Sequence, residues 1–327
     1  MPDSSPPESL VRSETARGRP ASIPRVSLGV PVYNGERFLA ISLESLLAQS
    51  FDNFEIFISD NGSTAATEEI CRTFVERDPR VRYDRSPENR GASWNYRRVV
   101  QLTSGAYFKW ATHDDVLAPT YLERCVEALD AAPSTVALVY PKTRIIDQDG
   151  NVVRNYDDNL DIRSSTAHER LSHVIRNIVM ANAAFGLIRR TALAQTRLLD
   201  AFPSADFIMM AELALAGEFW ELPQPLFFRR EHAGMSRLAA RTTSDVAEWF
   251  KPGSGQNKAR YEYWRLFYEH FVSIRQAHLS PTEKLRCAAT FPVIFLRRHG
   301  RRMVVYELPG RQWDGRPAVW HRRRHSL

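Results

Sequence analysis

Cysteine is scarce in this chain: Cys71, Cys125 and Cys287 are the three present, far apart and without a CxxC pair. That spacing excludes a disulfide scaffold and the common zinc sites, and it predicts buried thiols in a reducing compartment. A secretory leader is also missing. Met1 to Pro24 are rich in Pro, Ser and Arg with no apolar stretch, so they read as a disordered leader of a protein that is not secreted. No hydrophobic run is long enough to cross a bilayer; the longest near the end, Phe291-Pro-Val-Ile-Phe-Leu296, is short and carries a proline. Two familiar phosphate cradles are absent, since no G-x-G-x-x-G follows the first strand and no G-x-x-x-x-G-K-[ST] occurs. A phosphate bound here would need a metal or basic side chains. There is no internal repeat.

What is present is a 327-residue chain, 43% hydrophobic, able to bury a substantial core. Its formal net charge of +6 is uneven. Arg297, Arg298, Arg301, Arg302, Arg311, Arg316, Arg322, Arg323 and Arg324 crowd the C-terminal end against Glu307 and Asp314. Three uses of this basic end stay open. One is a solvated tail, and one is attraction to an anionic membrane surface, because Phe291, Ile294, Phe295 and Leu296 adjoin Arg297 and Arg298. The third, nucleic-acid binding, has no accompanying motif and is set aside.

Val26-Ser-Leu-Gly-Val-Pro-Val32 reads as a buried strand ended by the turn residues Tyr33-Asn34-Gly35. Phe38, Leu39, Leu43, Leu46 and Leu47 then recur at helical spacing. Strands follow at Phe54–Ile58, Val81–Tyr83 and Tyr107–Trp110, with helices through Asp78 and over Asn89–Ser104. This alternation predicts βαβ units and an α/β fold built on a mostly parallel sheet flanked by helices. Another strand is expected over Val136–Tyr140, with a hairpin turn at Asp147–Asn151. From about His168 the pattern turns helical, ending in two aromatic-rich helices over roughly Asn257–Arg275 and Pro281–Arg298.

Three polar clusters end strands on what should be one sheet edge: Pro31-Val32-Tyr33-Asn34, Asp60-Asn61, and His113-Asp114-Asp115. A parallel sheet gathers the carboxyl ends of its strands, where open α/β sheets place ligands. The adjacent carboxylates Asp114 and Asp115 repel unless a cation lies between them or both face water, and a solvated turn with an N-capping Asp explains them too.

Together these segments resemble the glycosyltransferases of family 2, nucleotide-sugar-dependent enzymes with the GT-A fold, along roughly residues 25 to 235. Val26–Gly35 looks like the family's opening strand, Glu55–Ser63 like its second-strand segment, and Ala111–Pro119 like its metal-binding DXD region. Ala205–Leu213 and Pro225–His232 are similar to the segments holding the catalytic base and a late phosphate-side Arg/His. The resemblance implies that Pro31 and Tyr33 line the base and ribose pocket, and that Asp60 and Asn61 hydrogen-bond base or ribose. Asp114 would coordinate Mn²⁺ or Mg²⁺ on the donor diphosphate, with Asp115 close to sugar or metal; Thr112 stands where a full DXD has its first acid. Asp206 would be the general base, with a helix N-cap as its plain alternative. Arg230 and His232 would steady the departing diphosphate, and Arg90, beside Trp94, would reach it too. His113 reads as an ordinary hydrogen-bonded histidine. Asn182–Gly186 would be an acceptor-facing loop in which Gly186 allows close approach of substrate or chain.

The expected organisation is a leader over 1–24, a GT-A-like domain over 25–240 and a helical, basic extension over 241–327. The expected activity is inverting transfer of a sugar from a nucleotide-diphosphate donor to a glycan or lipid-linked hydroxyl of the cell envelope. The expected place is the cytoplasm, peripheral at the inner face of the membrane. Two alternatives remain at this level: a non-catalytic nucleotide- or glycan-binding protein of the same fold, and a basic membrane-docking scaffold.

Overall fold

The computed structural model describes residues 23–235, 243–253 and 261–307. Most of the expected leader and the end of the basic tail, Arg311 to Arg324, lie outside the described residues. In chain order the elements are β1 (Val26–Val32), α1 (Leu39–Leu47), β2 (Phe54–Asp60), α2 (Ala65–Arg77), β3 (Val81–Arg85), α3 (Ala92–Gln101), β4 (Tyr107–Trp110), β5 (Val116–Leu117) and α4 (Tyr121–Ala131). Then come β6 (Val136–Ile146), β7 (Val152–Tyr156), α5 (Ala167–Asn177), a 3-10 turn (Asn182–Phe185), β8 (Leu187–Arg189), α6 (Arg190–Leu193), α7 (Ala205–Ala216) and β9 (Glu218–Arg230). Helices α8 (Thr243–Phe250), α9 (Glu262–Gln276) and α10 (Pro281–Tyr306) complete the described chain.

Among the described residues one sheet runs β3-β2-β1-β4-β8-β6-β9-β5, with β7 on β6. β3, β2, β1 and β4 are parallel, as their connecting helices require. Beyond β4 the sheet is mixed, with β8 antiparallel to both neighbours and β9 parallel to β6. β1 and β2 are buried along their whole length, which explains their near-continuous apolar sequences. Leu39, Leu43 and Leu46 of α1 and Leu122, Val126 and Leu129 of α4 cover one face. Val99 of α3 and Met210, Leu213 and Ala214 of α7 cover the other, against Phe108, Trp110 and Leu138. Each such aliphatic side chain contributes roughly 1.5–3 kcal/mol by leaving water.

The expected α/β architecture with its helical C-terminal end is the one found. The stretch after His168, expected to be helical and less regular, contains β8 and the long β9 as well as helices. α10 starts where expected, with Ser280 Oγ accepting the Glu283 amide at 3.3 Å and Pro281 in the first turn, but it continues past Arg298 to Tyr306. α9 and α10 share a core with α5 and α7 through Leu171, Ile208, Leu215, Leu266, Cys287 and Phe291. All three cysteines are buried. No described helix is long and apolar enough to cross a membrane.

Candidate active site

The parallel registers set Val32 opposite Asp60 and Gly29 opposite Trp110, so the polar residues that follow these strands leave from the same sheet edge. Hydrogen bonds then tie the loops together. The Asn61 amide donates to Val32 O at 2.9 Å, the Asn34 amide to Ser63 Oγ at 2.9 Å, and Ser42 Oγ to Thr112 O at 2.8 Å. From α3, Asn95 Nδ2 donates to Val32 O at 3.2 Å and Ser59 O at 3.0 Å, joining the ends of β1 and β2. A Cβ on Gly35 would lie 2.6 Å from Val32 Cγ2 and 2.9 Å from His113 Cδ2. Glycine there lets the first loop rest directly on the third.

β9 approaches from the other side. Its antiparallel ladder with β5 sets Val116 opposite Phe228, which carries the residues after Phe228 alongside Asp114 and Asp115. His232 Nε2 lies 3.1 Å from Asp114 Oδ2, while His232 Nδ1 accepts the Gly234 amide at 3.2 Å. An accepting Nδ1 leaves the ring proton on Nε2, so the imidazole donates to the carboxylate. Burial works against charge on Asp114, but His113 and His232 outweigh it and hold the carboxyl down at about 2. Asp115 goes the other way, pushed up to about 6 by burial and by the neighbouring Asp114 charge. Its oxygens accept from the Arg230 amide at 2.8 Å and from Thr112 Oγ1. One acid is thus ionised against a histidine, and the other is locked into the loop.

No group of three or more His, Cys, Asp or Glu among the described residues is arranged around a common metal position. The Asp114 carboxylate and the His232 nitrogen instead face each other across a single proton, a position that a divalent cation can take by displacing it. A hard cation is commonly held by one or two protein groups together with phosphate oxygens and water. The donor set therefore fits a cation bound jointly with a diphosphate.

Asp206 stands in the first turn of α7, half-buried, its Oδ1 accepting the Phe207 amide at 3.1 Å. Burial raises its pKa above the ordinary aspartate value, and the charge of Arg229 partly offsets the rise. Arg229 and Tyr96 were not singled out from the sequence. Arg229 donates to Asn182 Oδ1 and acts electrostatically on Asp114, Asp115, Asp158 and Asp206. The Tyr96 phenol shares those surroundings; burial and the charges of Asp114, Asp115 and Asp206 push it above its ordinary value. The available signal was the doubled arginine at the end of an apolar segment.

Tyr33 is 45% exposed at the mouth of β1, and Pro31 is buried within the strand opposite Ser59. Asp60 is fully buried. Its oxygens accept from the Ser63 amide and the Tyr83 hydroxyl, both at 2.8 Å, and Arg85 Nε lies at 3.4 Å, so this carboxylate organises the loop from inside. Asn61 Oδ1 accepts the Arg90 amide at 2.9 Å, and the exposed Arg90 guanidinium stacks 4.5 Å from the Trp94 ring. Arg230, expected at the diphosphate, has another use here. Only 3% exposed, it donates to Asp114 O at 2.9 Å and to Asp147 O and Gln148 O at 3.0 Å, so its guanidinium anchors the Asp114 loop to the β6–β7 turn. Gly186 serves chain packing, since a Cβ there would lie 2.7 Å from Val139 O.

Residues 27–197 match the model of Glycosyl transferase family 2. Chondroitin synthase of Escherichia coli is 34% identical over 133 residues, 41% of this chain and 19% of that protein. The matched stretch is 23% of the length of a Rickettsia felis protein described as an uncharacterized glycosyltransferase and 38% of a Rickettsia prowazekii one, so the chain spans a minor part of these relatives. Among solved structures, S. aureus TarS 1-349 in complex with UDP-GlcNAc superposes with a TM-score of 0.61 at 17% identity, covering 85% of this chain and 73% of that one. Mannosyltransferase PcManGT from Pyrobaculum calidifontis, in complex with GDP-Man and Mn²⁺, gives 0.50 at 16% identity, covering 91% and 85%. At these identities the superpositions establish a shared fold.

Proposed function

The chain belongs to glycosyl transferase family 2, and from that premise we propose that it moves a sugar from a nucleoside-diphosphate donor to an acceptor hydroxyl in a single, inverting displacement. One observation carries the proposal: the Asp114 carboxylate, hydrogen-bonded to His232 at the meeting of the strand tips, and the half-buried Asp206 both feel the charge of Arg229. Asp206 is suited to take the acceptor proton, because a carboxylate raised above its ordinary value is a stronger base. Tyr33 offers its exposed ring to the base or ribose, beside Pro31 and above the loop that Asp60 and Asn61 hold in shape. Arg90 stands on Trp94 within the same loop set, available to the diphosphate. Asp114 and His232 would hold Mn²⁺ or Mg²⁺, which when bound neutralises charge on the leaving diphosphate. Asp115 and Arg230 keep Asp114 in place.

TarS binds UDP-GlcNAc and PcManGT binds GDP-Man, so a nucleotide sugar is the donor class to test first. The acceptor class is a glycan or lipid-linked hydroxyl of the cell envelope, reached from the cytoplasmic side. Thermal shifts with UDP- and GDP-sugars, with Mn²⁺ and with chelator, read donor binding. Transfer or hydrolysis of the stabilising donor reads chemistry. Asp206→Asn is expected to keep the donor shift and lose on the order of 10²–10⁴ in turnover. Asp114→Asn is expected to lose the metal-dependent part of the shift. Near-normal turnover in Asp206→Asn removes it as the base, and a donor shift without turnover in the wild type favours a binding protein, the role that Thr112 in place of an acid would suit.

A further inference from the structure

α9 and α10 each bury one side. On α9 that side carries Tyr263, Leu266, His270 and Ile274, and on α10 it carries Cys287, Phe291, Phe295 and Met303. The opposite sides are also apolar. Trp264, Tyr268 and Phe271 are 44%, 65% and 37% exposed and recur at four- and three-residue spacing along α9. Leu285, Val293, Leu296 and Val304 are 71%, 51%, 47% and 49% exposed and form a second row on α10. Phe271, the last of the α9 row, packs edge-on at 4.9 Å against Phe291 on the buried side of α10, so the α9 row flanks the seam between the two helices.

Charge on this surface has one sign. Arg275, Arg286, Arg297 and Arg301 are exposed, while Glu262 and Glu269 are buried and Glu283 is half-buried against His168 and Arg286. Among the described residues of these helices no carboxylate is exposed. The sequence beyond residue 307 adds five arginines and two tryptophans against one aspartate. A second copy of the same face would set arginine against arginine. Nucleic acid would use the arginines but not the Leu and Val rows. Indole and phenol rings edged by guanidinium groups match the boundary of a bilayer, where an apolar body meets anionic headgroups.

We propose that the outward face of α9 and α10 rests on an anionic lipid surface, its apolar rows entering the headgroup boundary and its arginines lying on lipid phosphates. α9 is tied to the site, since Ser204 Oγ, at the residue before α7, donates to Glu262 Oε1 at 2.6 Å, two residues from Asp206. If the transfer proposed above holds, docking would bring the base-bearing end of α7 close to a lipid-linked acceptor.

Flotation of the full-length protein tests the docking independently of turnover. The vesicles are phosphatidylcholine alone, and phosphatidylcholine with phosphatidylglycerol as the minor component, each at low and high salt. Partitioning is expected to be at least about tenfold stronger on the anionic vesicles and to weaken with salt. Val293→Glu with Leu296→Glu, and separately Arg297→Glu with Arg301→Glu, are each expected to lower it about tenfold or more, while melting temperature and donor-induced thermal shift stay unchanged. Equal partitioning on both vesicle types overturns the proposal, as does undiminished binding by both variants. So would duplex DNA bound as tightly as vesicles, or a solution dimer that the Val293/Leu296 variant dissociates.

Discussion

At the scale of single residues, the site is organised by who neutralises whom. Asp114 is held ionised by histidines, Asp115 is pushed up to about 6 by burial and by its neighbour's charge, and Asp158, buried, is pushed up to about 7 with Arg229 opposing the rise. Arg229 acts on all of them and on Asp206, so its removal should be felt first at the proposed base. Without that cation the Asp206 carboxyl rises further above its ordinary value, and at a given acidic pH less of it is ionised. Arg229→Gln is expected to lower kcat/KM severalfold at the acidic end of the pH–rate profile, with the deficit shrinking as pH rises and Arg229→Lys recovering most of it, as follows when a nearby cation is removed from a general base. A pH–rate profile lowered in parallel at every pH would assign Arg229 to structure alone. The sequence could point to Arg230 and His232 but could not rank Arg229 above its neighbour. Adjacent residues of a strand face opposite ways, and which one meets the carboxylates depends on the pleat of β9, which no local pattern encodes.

At the scale of elements, β1 to β4 with their helices were legible because buried parallel strands read as apolar runs between helical periods. β9 was not. Pro223 and Pro225 interrupt it, and prolines in a strand are tolerated at bulges, which is where the β6–β9 register shifts between Pro141 and Thr143. The meeting of Asp114 with His232 follows from the β5–β9 ladder, a long-range pairing that sequence spacing does not show. The attachment of α9 to α7 was equally hidden. Arg197 donates to Glu212 Oε1 and to Glu269 Oε2, both at 2.6 Å, and Ser273 Oγ donates to Glu212 Oε1 at 2.9 Å. Glu212 and Glu269 are both buried, so removing the arginine leaves Glu212 without a cation and Glu269 with only the more distant Arg265 at 3.7 Å. Arg197→Met is expected to destabilise the fold by about 3 kcal/mol in urea unfolding, with much of that recovered when Glu212 and Glu269 are also replaced by leucine. A loss below about 1 kcal/mol would show that α9 is held by its apolar contacts alone.

At the scale of the whole molecule, buried ionisable groups of opposite kind set how stability depends on pH. Lys109 is fully buried in β4, its ammonium donating to Phe185 O and lying 4.6 Å from the Tyr121 ring and 5.1 Å from the Phe227 ring. Burial lowers it to about 7. Burial raises Asp158 and Glu307 to about 7. From about pH 4 to 7 the folded state keeps protons on these acids that the unfolded chain has released, so stability falls as pH rises. From about pH 7 the unfolded chain keeps a proton on Lys109 that the folded state has released, so stability rises again until about pH 8.5, where the buried thiols Cys71, Cys125 and Cys287, all raised by burial, begin to oppose it. The two slopes make a minimum near neutral pH. Lys109→Met should remove the alkaline rise, which amounts to roughly 1–2 kcal/mol in the wild type, while leaving the acidic limb in place. Phe185 O keeps a donor in that variant, because the Tyr121 hydroxyl also reaches it at 2.8 Å. Asp158→Asn should make the acidic limb less steep, the Glu307 share remaining, and leave the alkaline one. Urea unfolding of the three proteins across this range decides the matter: if Lys109→Met runs parallel to the wild type between pH 7 and 10, the lysine remains charged in the folded state, and its aromatic neighbours stabilise the cation more than burial opposes it.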